Sequence, residues 1–200
     1  MRIVAGTFRG RMLVAPKGHS TRPTADRTRQ ALFNVLEHAP WAPPLEGARV
    51  LDIFAGSGAL GLEALSRGAA WCRFVDRDEA ARAAIRANAD ALGVAGRMRI
   101  DRRDAATLAA RSDADDAPFD LAFLDPPYGK ALAEAALERL AAGGWLATGA
   151  IVVVELGAAE ELRLQPGTGS ADPVPDRARP FELLDQRVWG AARVAFLRAS

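Results

Sequence analysis

The sequence contains few of the residues that build metal centres and covalent cross-links. Its 200 residues include one cysteine, Cys72, and two histidines, His19 and His38, which lie far apart along the chain. A single cysteine excludes an internal disulfide framework and a cysteine-based zinc site. The two histidines match no recognisable metal motif, so we expect no metal ion. Cys72 lies in a predicted strand, where we expect a small buried hydrophobic side chain rather than a nucleophile.

Long hydrophobic runs are missing as well. No apolar stretch approaches the roughly 20 residues that a helix needs to span a bilayer. The N-terminus shows no apolar segment followed by a small-residue cleavage site, so we expect a cytoplasmic protein without a membrane partner. With 50% hydrophobic and 26% charged residues, the chain has enough apolar side chains for a packed core.

The net charge is small but unevenly distributed. The whole chain carries a formal charge of +1. Residues 1–30 contain seven basic residues and one acidic residue, or +6, and the remaining 170 residues contain 19 basic and 24 acidic residues, or −5. A basic N-terminal segment on a mildly acidic body fits a polyanionic partner, but it also fits a solvated basic hairpin without a partner.

The first 40 residues predict a β-hairpin followed by a helix. Residues 2–5 and 11–15 have the character of short strands, and the glycine-bounded turn between them carries arginine near its tip. Thr24 is predicted as the N-cap of an amphipathic helix that ends near His38.

From residue 47 onward, predicted strands and helices alternate. Strands are expected at 49–54, 71–75, 97–101, 119–124 and 150–155, with helices at 58–67, 78–92 and 130–141. Repeated βα units of this kind predict an α/β fold with a mostly parallel sheet and helices on both faces. A loop with four prolines and two glycines follows at 165–180, and a hairpin of strands 182–189 and 193–198 closes the chain.

A glycine-rich turn between the first of these strands and its helix is the strongest local signal. Gly56, Gly58 and Gly61 match the G-x-G-x-x-G pattern, and Asp76 lies twenty residues after Gly56, where a ribose-binding acid belongs. The three glycines alone also fit a plain tight turn. Their position between a strand and a helix, together with Asp76, favours a ligand site.

Acidic residues near the turn favour a cationic ligand. Asp52 precedes Gly56 by four residues, and a carboxylate beside the pyrophosphate of NAD is electrostatically unfavourable. S-adenosylmethionine carries a sulfonium and an ammonium but no phosphate. Asp76 can accept both ribose hydroxyls, and Asp104 can accept from the adenine amine. We therefore predict S-adenosylmethionine as the cofactor, bound by Asp52, Phe54, Ala55, Gly56, Ser57, Gly58, Asp76, Arg77, Asp104 and Ala105.

A second motif, Asp125-Pro126-Pro127-Tyr128, ends the fourth strand of the alternating series. Two consecutive prolines also serve simply to terminate a strand. The motif also fits a catalytic role, in which the Asp125 carboxylate and the Pro126 carbonyl each accept a hydrogen bond from an N–H group of an exocyclic amine. These two hydrogen bonds turn the nitrogen lone pair toward an incoming methyl group. The proline rings fix this geometry, and Tyr128 can stack on an extruded base. We predict these four residues as the catalytic set.

Taken together, these motifs resemble class I S-adenosylmethionine-dependent methyltransferases that modify an amino group. Three further segments resemble the RsmD family, the bacterial 16S rRNA guanine-N2 methyltransferases. They are Met1–Gly6 with Arg9–Arg11, Thr21–Arg27 with Ala31–Leu36, and Phe54–Leu65. The N-terminal segments are more diagnostic than the glycine turn, which many methyltransferases share. The resemblance covers residues 1–156 and the closing hairpin.

The family implies a Rossmann-like class I methyltransferase fold with a seven-stranded sheet of order 3-2-1-4-5-7-6 and an antiparallel last strand. It implies an N-terminal β-hairpin extension that helps to hold RNA, residues 1–20, and a catalytic domain, residues 21–200, within a single compact domain overall. The implied substrate is nascent small-subunit ribosomal RNA with bound ribosomal proteins, and we expect a monomer. Basic residues predicted to contact the RNA are Arg9, Arg11, Arg22, Arg27 and Arg29.

The resemblance also assigns roles within the site. Asp76 would bind ribose, Asp104 would lie beside adenine, and Asp125 to Tyr128 would hold the guanine. Residue 104 is aspartate where some relatives carry asparagine, and either side chain can accept a hydrogen bond from an amine. The 165–180 loop is longer and richer in proline than the family requires.

Other functions share parts of this pattern. DNA adenine-N6 and protein glutamine-N5 methyltransferases present the same kind of motif as Asp125–Tyr128, because their targets are also planar amines. The absence of a target-recognition domain argues against a sequence-specific DNA enzyme. A nucleotide-cofactor dehydrogenase is disfavoured by Asp52 and by Asp125–Tyr128. A non-catalytic RNA-binding assembly factor is disfavoured by the intact set of acids.

Overall fold

The computed structural model describes residues 1–16, 23–112, 117–129, 131–164 and 180–200. Within these residues, the helices are α1 (Pro23–His38), α2 (Ala59–Ser66), α3 (Glu79–Leu92) and α4 (Leu132–Ala142). The strands are β1 (Arg49–Ile53), β2 (Trp71–Val75), β3 (Met98–Asp101), β4 (Phe119–Leu124), β5 (Leu146–Gly157), β6 (Phe181–Trp189) and β7 (Ala192–Ala199). None of the helices in these ranges is long and apolar enough to cross a membrane.

The described strands form one sheet in the order β3-β2-β1-β4-β5-β7-β6. Strands β1 to β5 pair in parallel, whereas β7 is antiparallel to both β5 and β6. The expected strand order and the antiparallel closing strand are therefore confirmed. The central strands β1 and β4 are buried almost throughout, which explains their nearly continuous apolar sequence.

The two faces of the sheet carry separate core clusters, because alternate residues of each strand point to opposite sides. One cluster lies under α1, α2 and α3 and includes Phe33, Leu62 and Ile85. The other lies under α4 and includes Leu137 and Trp145. Helices thus cover both faces, and the carboxyl ends of the parallel strands form the edge at which ligands bind in such sheets.

The N-terminal hairpin is smaller than the sequence predicts. Two strands at 2–5 and 11–15 were expected, but the structure pairs Arg2 with Met12 in an isolated antiparallel bridge. Hydrogen bonds from the Ile3 amide to the Arg11 carbonyl, 2.9 Å, and from the Gly10 amide to the Ile3 carbonyl, 2.9 Å, close the turn.

The start of α1 differs from the prediction as well. Thr24 was expected to cap the helix, but α1 begins at Pro23 and Thr24 lies inside it. Proline suits a first helical position, because its fixed φ is helical and no intrahelical partner is needed for an N–H there. The end of the helix at His38 is confirmed.

Strand β5 is the largest difference in length. It begins at Leu146 rather than at residue 150 and spans 12 residues. Its pairing with β4 is irregular near the start, and Gly149 has a φ of 79°. A glycine in this conformation indicates a turn in the sequence, but the sheet accommodates it as an irregularity. The predicted proline-rich loop falls almost wholly on residues 165–179, which lie outside the described residues.

Candidate active site

The carboxyl ends of the parallel strands bring the predicted site to one edge of the sheet. Ile53 of β1 pairs with Val75 of β2 and with Leu124 of β4, and Leu124 pairs with Val154 of β5. The segments that follow these four residues therefore lie side by side. They are the glycine turn, the acid after β2, the Asp125–Tyr128 motif and the end of β5.

The glycine turn is held in a left-handed backbone conformation. Phe54, Gly56 and Gly58 have φ angles of 61°, 56° and 76°. Glycine adopts these angles without steric cost, whereas Phe54 is strained there. The amides of Phe54 and Ala55 both donate to the Val75 carbonyl, at 3.1 and 3.3 Å, and so fix the strained turn to the end of β2.

Gly61 has a packing role. A Cβ atom at this position would overlap the Phe74 ring and the Cys72 sulfur, so α2 lies against β2 with no room for a side chain. Cys72 is fully buried, as expected from the sequence. In the G-x-G-x-x-G pattern, the third glycine generally allows this close packing of helix against strand.

Asp52 lies beneath the turn rather than at its surface. It is 1% exposed, and its Oδ2 accepts a hydrogen bond from the Gly61 amide at 2.9 Å, in the first turn of α2. Burial raises the pKa of Asp52 to about 8, although the Gly61 amide opposes the shift; the negative charge of Asp76 raises it further. Asp52 thus anchors α2, and its predicted contact with a cofactor stays a prediction.

Asp76 braces the turn from the neighbouring strand. Its Oδ2 accepts from the Gly56 amide at 2.9 Å, and its Oδ1 accepts from the Asp78 amide at 2.8 Å. The side chain is only partly buried. Since each carboxylate oxygen can accept more than one hydrogen bond, Asp76 retains acceptor capacity for ribose hydroxyls.

Asp104 and Arg77 form an ion pair at the outer side of this edge. Arg77 Nη1 lies 3.0 Å from Asp104 Oδ2, and both side chains are exposed to solvent. Asp104 Oδ1 accepts from the Ala106 amide at 3.0 Å and caps the short turn that begins at Ala105, which is buried. The pair therefore flanks the region between β2 and β3 where adenine is expected.

The Asp125–Tyr128 motif follows β4 on the other side of the glycine turn. Asp125 is open to solvent on one side, and Pro126 is buried. Tyr128 is 48% exposed, and its hydroxyl donates to Glu155 Oε1 at 3.1 Å. The surrounding protein partly desolvates the Asp125 carboxylate and raises its pKa; the negative charges of Glu155 and Asp52 raise it further.

Glu155 is a site residue that the sequence analysis missed. It lies near the carboxyl end of β5, beside the Asp125–Tyr128 motif, and is partly buried. Burial raises the pKa of Glu155, whereas the hydrogen bond from Tyr128 lowers it. A charged residue directly after the apolar run Ile151–Val154 was the available signal, because that run ends at the same sheet edge.

Glu160 joins the two loops on this side of the site. Its carboxylate accepts from the amides of Gly129 and Gly157, the latter at 2.7 Å. The loops enclose an open cavity of about 410 Å³, lined in part by Pro126, Tyr128 and Glu160. This cavity adjoins the Pro126–Tyr128 part of the motif on the side of α4, and Asp125 and Glu155 do not line it.

Asn88 connects the N-terminal hairpin to the glycine turn and was also missed from the sequence. This α3 residue is 2% exposed. Its Oδ1 accepts from the Val14 amide at 2.8 Å, and its Nδ2 donates to the Val14 carbonyl at 3.0 Å and to the Ser57 carbonyl at 2.9 Å. The hairpin is thereby attached directly to the predicted cofactor loop.

Glu63 fixes the hairpin to α2. It is fully buried, and its two oxygens accept from the Val4 amide at 2.8 Å and the Ala5 amide at 2.9 Å. Arg67 Nε lies 2.8 Å from Glu63 Oε1, and Arg29 Nε lies 3.5 Å from Oε2. The hairpin is therefore a docked part of the domain rather than a free arm.

The arginines predicted to contact RNA divide into separate groups. Arg29 is 4% exposed and pairs with Asp26 and Glu63, so its assignment as an RNA contact is wrong. Arg9 and Arg27 are exposed. Arg11 is exposed and donates to the Ala91 carbonyl at 2.7 Å. Arg22 lies outside the described residues.

Comparisons with known proteins agree with this arrangement. The model of the family described as conserved hypothetical protein 95 matches residues 1–171. The chain is 39% identical to ribosomal RNA small subunit methyltransferase D of Escherichia coli over 155 residues, 78% of this chain and 74% of that protein. It is 35% identical to the protein of the same name from Haemophilus influenzae over 155 residues, 78% of each chain.

A solved structure is similar to this chain over its whole length. It is yhhF from Escherichia coli, described as a candidate methyltransferase, with 32% sequence identity and a TM-score of 0.78. The match covers 100% of this chain and 98% of that one. The chain therefore belongs to the conserved hypothetical protein 95 family, the RsmD family that its sequence motifs resemble.

Proposed function

We propose that this protein is an S-adenosylmethionine-dependent methyltransferase that methylates the N2 amine of a guanine in small-subunit ribosomal RNA. The observation that carries the proposal is the position of Asp125 and Tyr128 beside the glycine turn, at one sheet edge, in a chain whose relatives are named ribosomal RNA small subunit methyltransferase D. We propose a cytoplasmic monomer that acts on assembling small-subunit particles.

The residues at the turn fit this cofactor. A Cβ at Gly56 would meet only the carbonyl oxygen of Phe54, at 3.9 Å, so a ligand can approach the backbone there. Asp76 supplies an acceptor for ribose hydroxyls and Asp104 one for the adenine amine, while the buried Asp52 carboxyl fixes the start of α2 beneath the turn. When bound, the cofactor supplies an electrophilic methyl group next to a sulfonium.

The substrate amine is held by the motif after β4. The Asp125 carboxylate and the Pro126 carbonyl each accept a hydrogen bond from one of the two N–H groups of this amine. These hydrogen bonds turn the nitrogen lone pair away from the base plane. The exposed ring of Tyr128 stacks on the base. As the N–C bond to the methyl group forms, the bond from that methyl group to the sulfonium sulfur would break and leave a neutral thioether. The proton that leaves the nitrogen passes to the Asp125 carboxylate, whose raised pKa suits a proton acceptor.

Mapping the modified base tests the proposal. Small-subunit particles from a bacterial strain that lacks its own RsmD-family enzyme are incubated with the protein and S-adenosylmethionine, and the ribosomal RNA is digested and analysed by mass spectrometry. We expect one N2-methylguanine per 16S rRNA. DNA with unmodified adenine and a glutamine-containing protein serve as competing substrates. Methylation of either of these, with unmodified particles, would contradict the proposal.

The exposed arginines predict a separable effect on RNA binding. Replacement of Arg9 and Arg27 by glutamine is expected to weaken binding of small-subunit RNA and to lower the slope of log K against log salt by about 0.7–0.9 per lost phosphate contact. Cofactor affinity should not change, because neither side chain lies at the glycine turn.

The matched control replaces Arg187 and Arg198, which pair with Asp185 and Glu182 at the far edge of the sheet. This pair of substitutions removes the same charge but should leave the salt slope unchanged. Filter binding at several salt concentrations measures both variants. Equal slopes for the wild type and the Arg9/Arg27 variant would show that these two arginines make no phosphate contacts.

A further inference from the structure

Glu155 lies next to the reacting groups of the proposed site. Leu124 of β4 pairs with Val154 of β5, so Asp125 and Glu155 are the next residues along two neighbouring parallel strands. Phe123 and Val153, two residues earlier in each strand, belong to the same core cluster. The alternation of side chains therefore places Asp125 and Glu155 on the same face of the sheet.

One oxygen of Glu155 is fixed and the other remains available. Its Oε1 accepts from the Tyr128 hydroxyl at 3.1 Å. Its Oε2 receives no hydrogen bond from the residues that the structure describes. Two other nearby carboxylates have backbone partners: Glu160 accepts from two glycine amides, and Asp52 from the Gly61 amide. Glu155 thus offers a positioned acceptor beside Asp125.

Guanine presents a matching pair of donors. Its N2 amine adjoins the N1–H, so two neighbouring donor groups point out of the Watson–Crick edge. In adenine the amine adjoins N1, which is a bare acceptor. When the N2 amine is held by Asp125 and Pro126, the N1–H is the adjacent donor and needs an acceptor of its own.

We propose, on the basis of the function proposed above, that Glu155 is a specificity-determining residue whose carboxylate accepts the N1–H of the target guanine. A base with an acceptor at this ring position would face the carboxylate lone pairs and be disfavoured. Tyr128 orients the carboxylate through its hydroxyl and also supplies the stacking surface.

RNA that carries 2-aminopurine at the target position tests this contact. 2-Aminopurine keeps the reacting amine but has an acceptor at N1. Particles are reconstituted with guanine or 2-aminopurine at the mapped nucleotide, and kcat/KM is measured for each. We expect the wild type to prefer guanine by about 100-fold or more, since a site built to bind a donor rejects an analogue that lacks it.

Glu155→Gln should reduce this preference to about tenfold or less. The glutamine amide can accept from the N1–H of guanine or donate to the bare N1 of 2-aminopurine, so the variant should gain activity on the analogue. The missing O6 of 2-aminopurine affects both enzymes alike and cancels in the comparison. Asp90→Asn, which neutralises an exposed carboxylate on α3, is the control and should leave both the activity and the preference unchanged.

Two outcomes overturn the inference. Wild-type enzyme that methylates both bases equally needs no acceptor for N1–H. A Glu155→Gln variant with an unchanged guanine preference would show that the carboxylate does not read this position, and so would a variant that loses activity equally on both. A wild type that methylates no guanine at all would instead refute the proposed function, so the two failures are distinguishable.

Discussion

Replacement of Asp125 by alanine is expected to lower kcat for methylation of small-subunit particles by about 10³-fold, while the affinity for S-adenosylmethionine stays within about twofold of the wild type. The carboxylate accepts an N–H of the target amine and receives its proton, so its removal affects the reacting nitrogen directly. The glycine turn and Asp76 lie on neighbouring segments and keep their contacts. Single-turnover rates and calorimetric titration measure the two quantities separately.

Asparagine at position 125 separates the two roles of the carboxylate. Its amide oxygen still accepts a hydrogen bond from the amine, but it does not take up a proton. We therefore expect an intermediate loss of about 10- to 100-fold. Asp90→Ala, which removes an exposed carboxylate on α3, is the matched control and should be as active as the wild type. A fully active Asp125→Ala enzyme would refute the assigned role.

The pH profile gives a second reading of the same residue. Partial desolvation raises the pKa of Asp125, and the neighbouring charges of Glu155 and Asp52 raise it further. Because the acceptor must be ionised, kcat/KM should rise with pH through the apparent pKa of the Asp125–Glu155 pair and then level off. That rise should begin at a higher pH than an ordinary carboxyl group would give, and Asp125→Asn should weaken it.

The sheet edge was predictable from sequence because it depends on local patterns. An acid that follows a strand marks the end of a buried parallel strand, and this pattern correctly places Asp76 and Asp125 at the same carboxyl edge, on either side of the glycine turn after β1. The spacing of Gly56, Gly58 and Gly61 likewise identifies the turn, since each glycine meets a steric demand that a side chain would violate or strain.

The connections of the hairpin were not predictable, because their partners are backbone groups far away in sequence. Glu63 binds amides 58 and 59 residues away, and Asn88 binds Val14 at a separation of 74 residues. On an isolated helix, each of them is one polar residue among others. Helical periodicity places Asn88, three residues after Ile85, on the buried face of α3, but the local sequence does not indicate which groups either residue binds.

The sequence contains a signal for the burial of Arg29, but the prediction of an RNA contact considered only the charge of this residue. It lies three residues before Leu32 and four before Phe33, so helical periodicity places it on the buried stripe of α1. Arg27, two residues earlier, falls on a different side of the helix and is exposed. An arginine on an apolar stripe predicts a buried ion pair, and Glu63 is its partner.

The uneven charge of the chain therefore has two structural origins. Part of the excess positive charge at the N-terminus is neutralised by ion pairs within the protein, because Arg29 pairs with Asp26 and Glu63. Arg9 and Arg27 remain exposed to meet a polyanion. The acidic body includes the carboxylates at the sheet edge, which suit a cationic cofactor and an amine but repel phosphate. Hydrogen bonds to Glu63 of α2 and Asn88 of α3 attach the hairpin, and Arg9 with it, to the part of the fold that forms the acidic sheet edge.

Alanine substitutions at two glycines of the hairpin turn test whether the docking of the hairpin on α2 depends on close packing. Gly6 and Gly10 have φ angles of 78° and 83°, so alanine is strained at either position. A Cβ at Gly6 would overlap the Ser66 carbonyl of α2, whereas a Cβ at Gly10 has nothing within 4 Å. The same substitution therefore adds a backbone clash in one case and not in the other.

Gly6→Ala is expected to lower the free energy of unfolding by about 3 kcal/mol, against about 1 kcal/mol for Gly10→Ala, which reports the strain alone. For a chain of this length, the corresponding falls in Tm are roughly 6–12 °C and 2–4 °C. The larger effect follows because Gly6→Ala pushes the hairpin off α2 and breaks the bonds from the Thr7 amide to the Ser66 carbonyl, 2.8 Å, and from the Phe8 amide to Ser66 Oγ, 3.0 Å.

The two variants also test whether docking of the hairpin on α2 supports the binding of cofactor and RNA. Since Asn88 links Val14 to the Ser57 carbonyl, a displaced hairpin should weaken cofactor binding as well as RNA binding. Gly6→Ala should therefore raise the Kd for S-adenosylmethionine, measured at a temperature where both variants are folded, while Gly10→Ala should not. Equal melting temperatures and equal cofactor affinities for the two variants would mean that the hairpin lies on α2 without supporting the glycine turn.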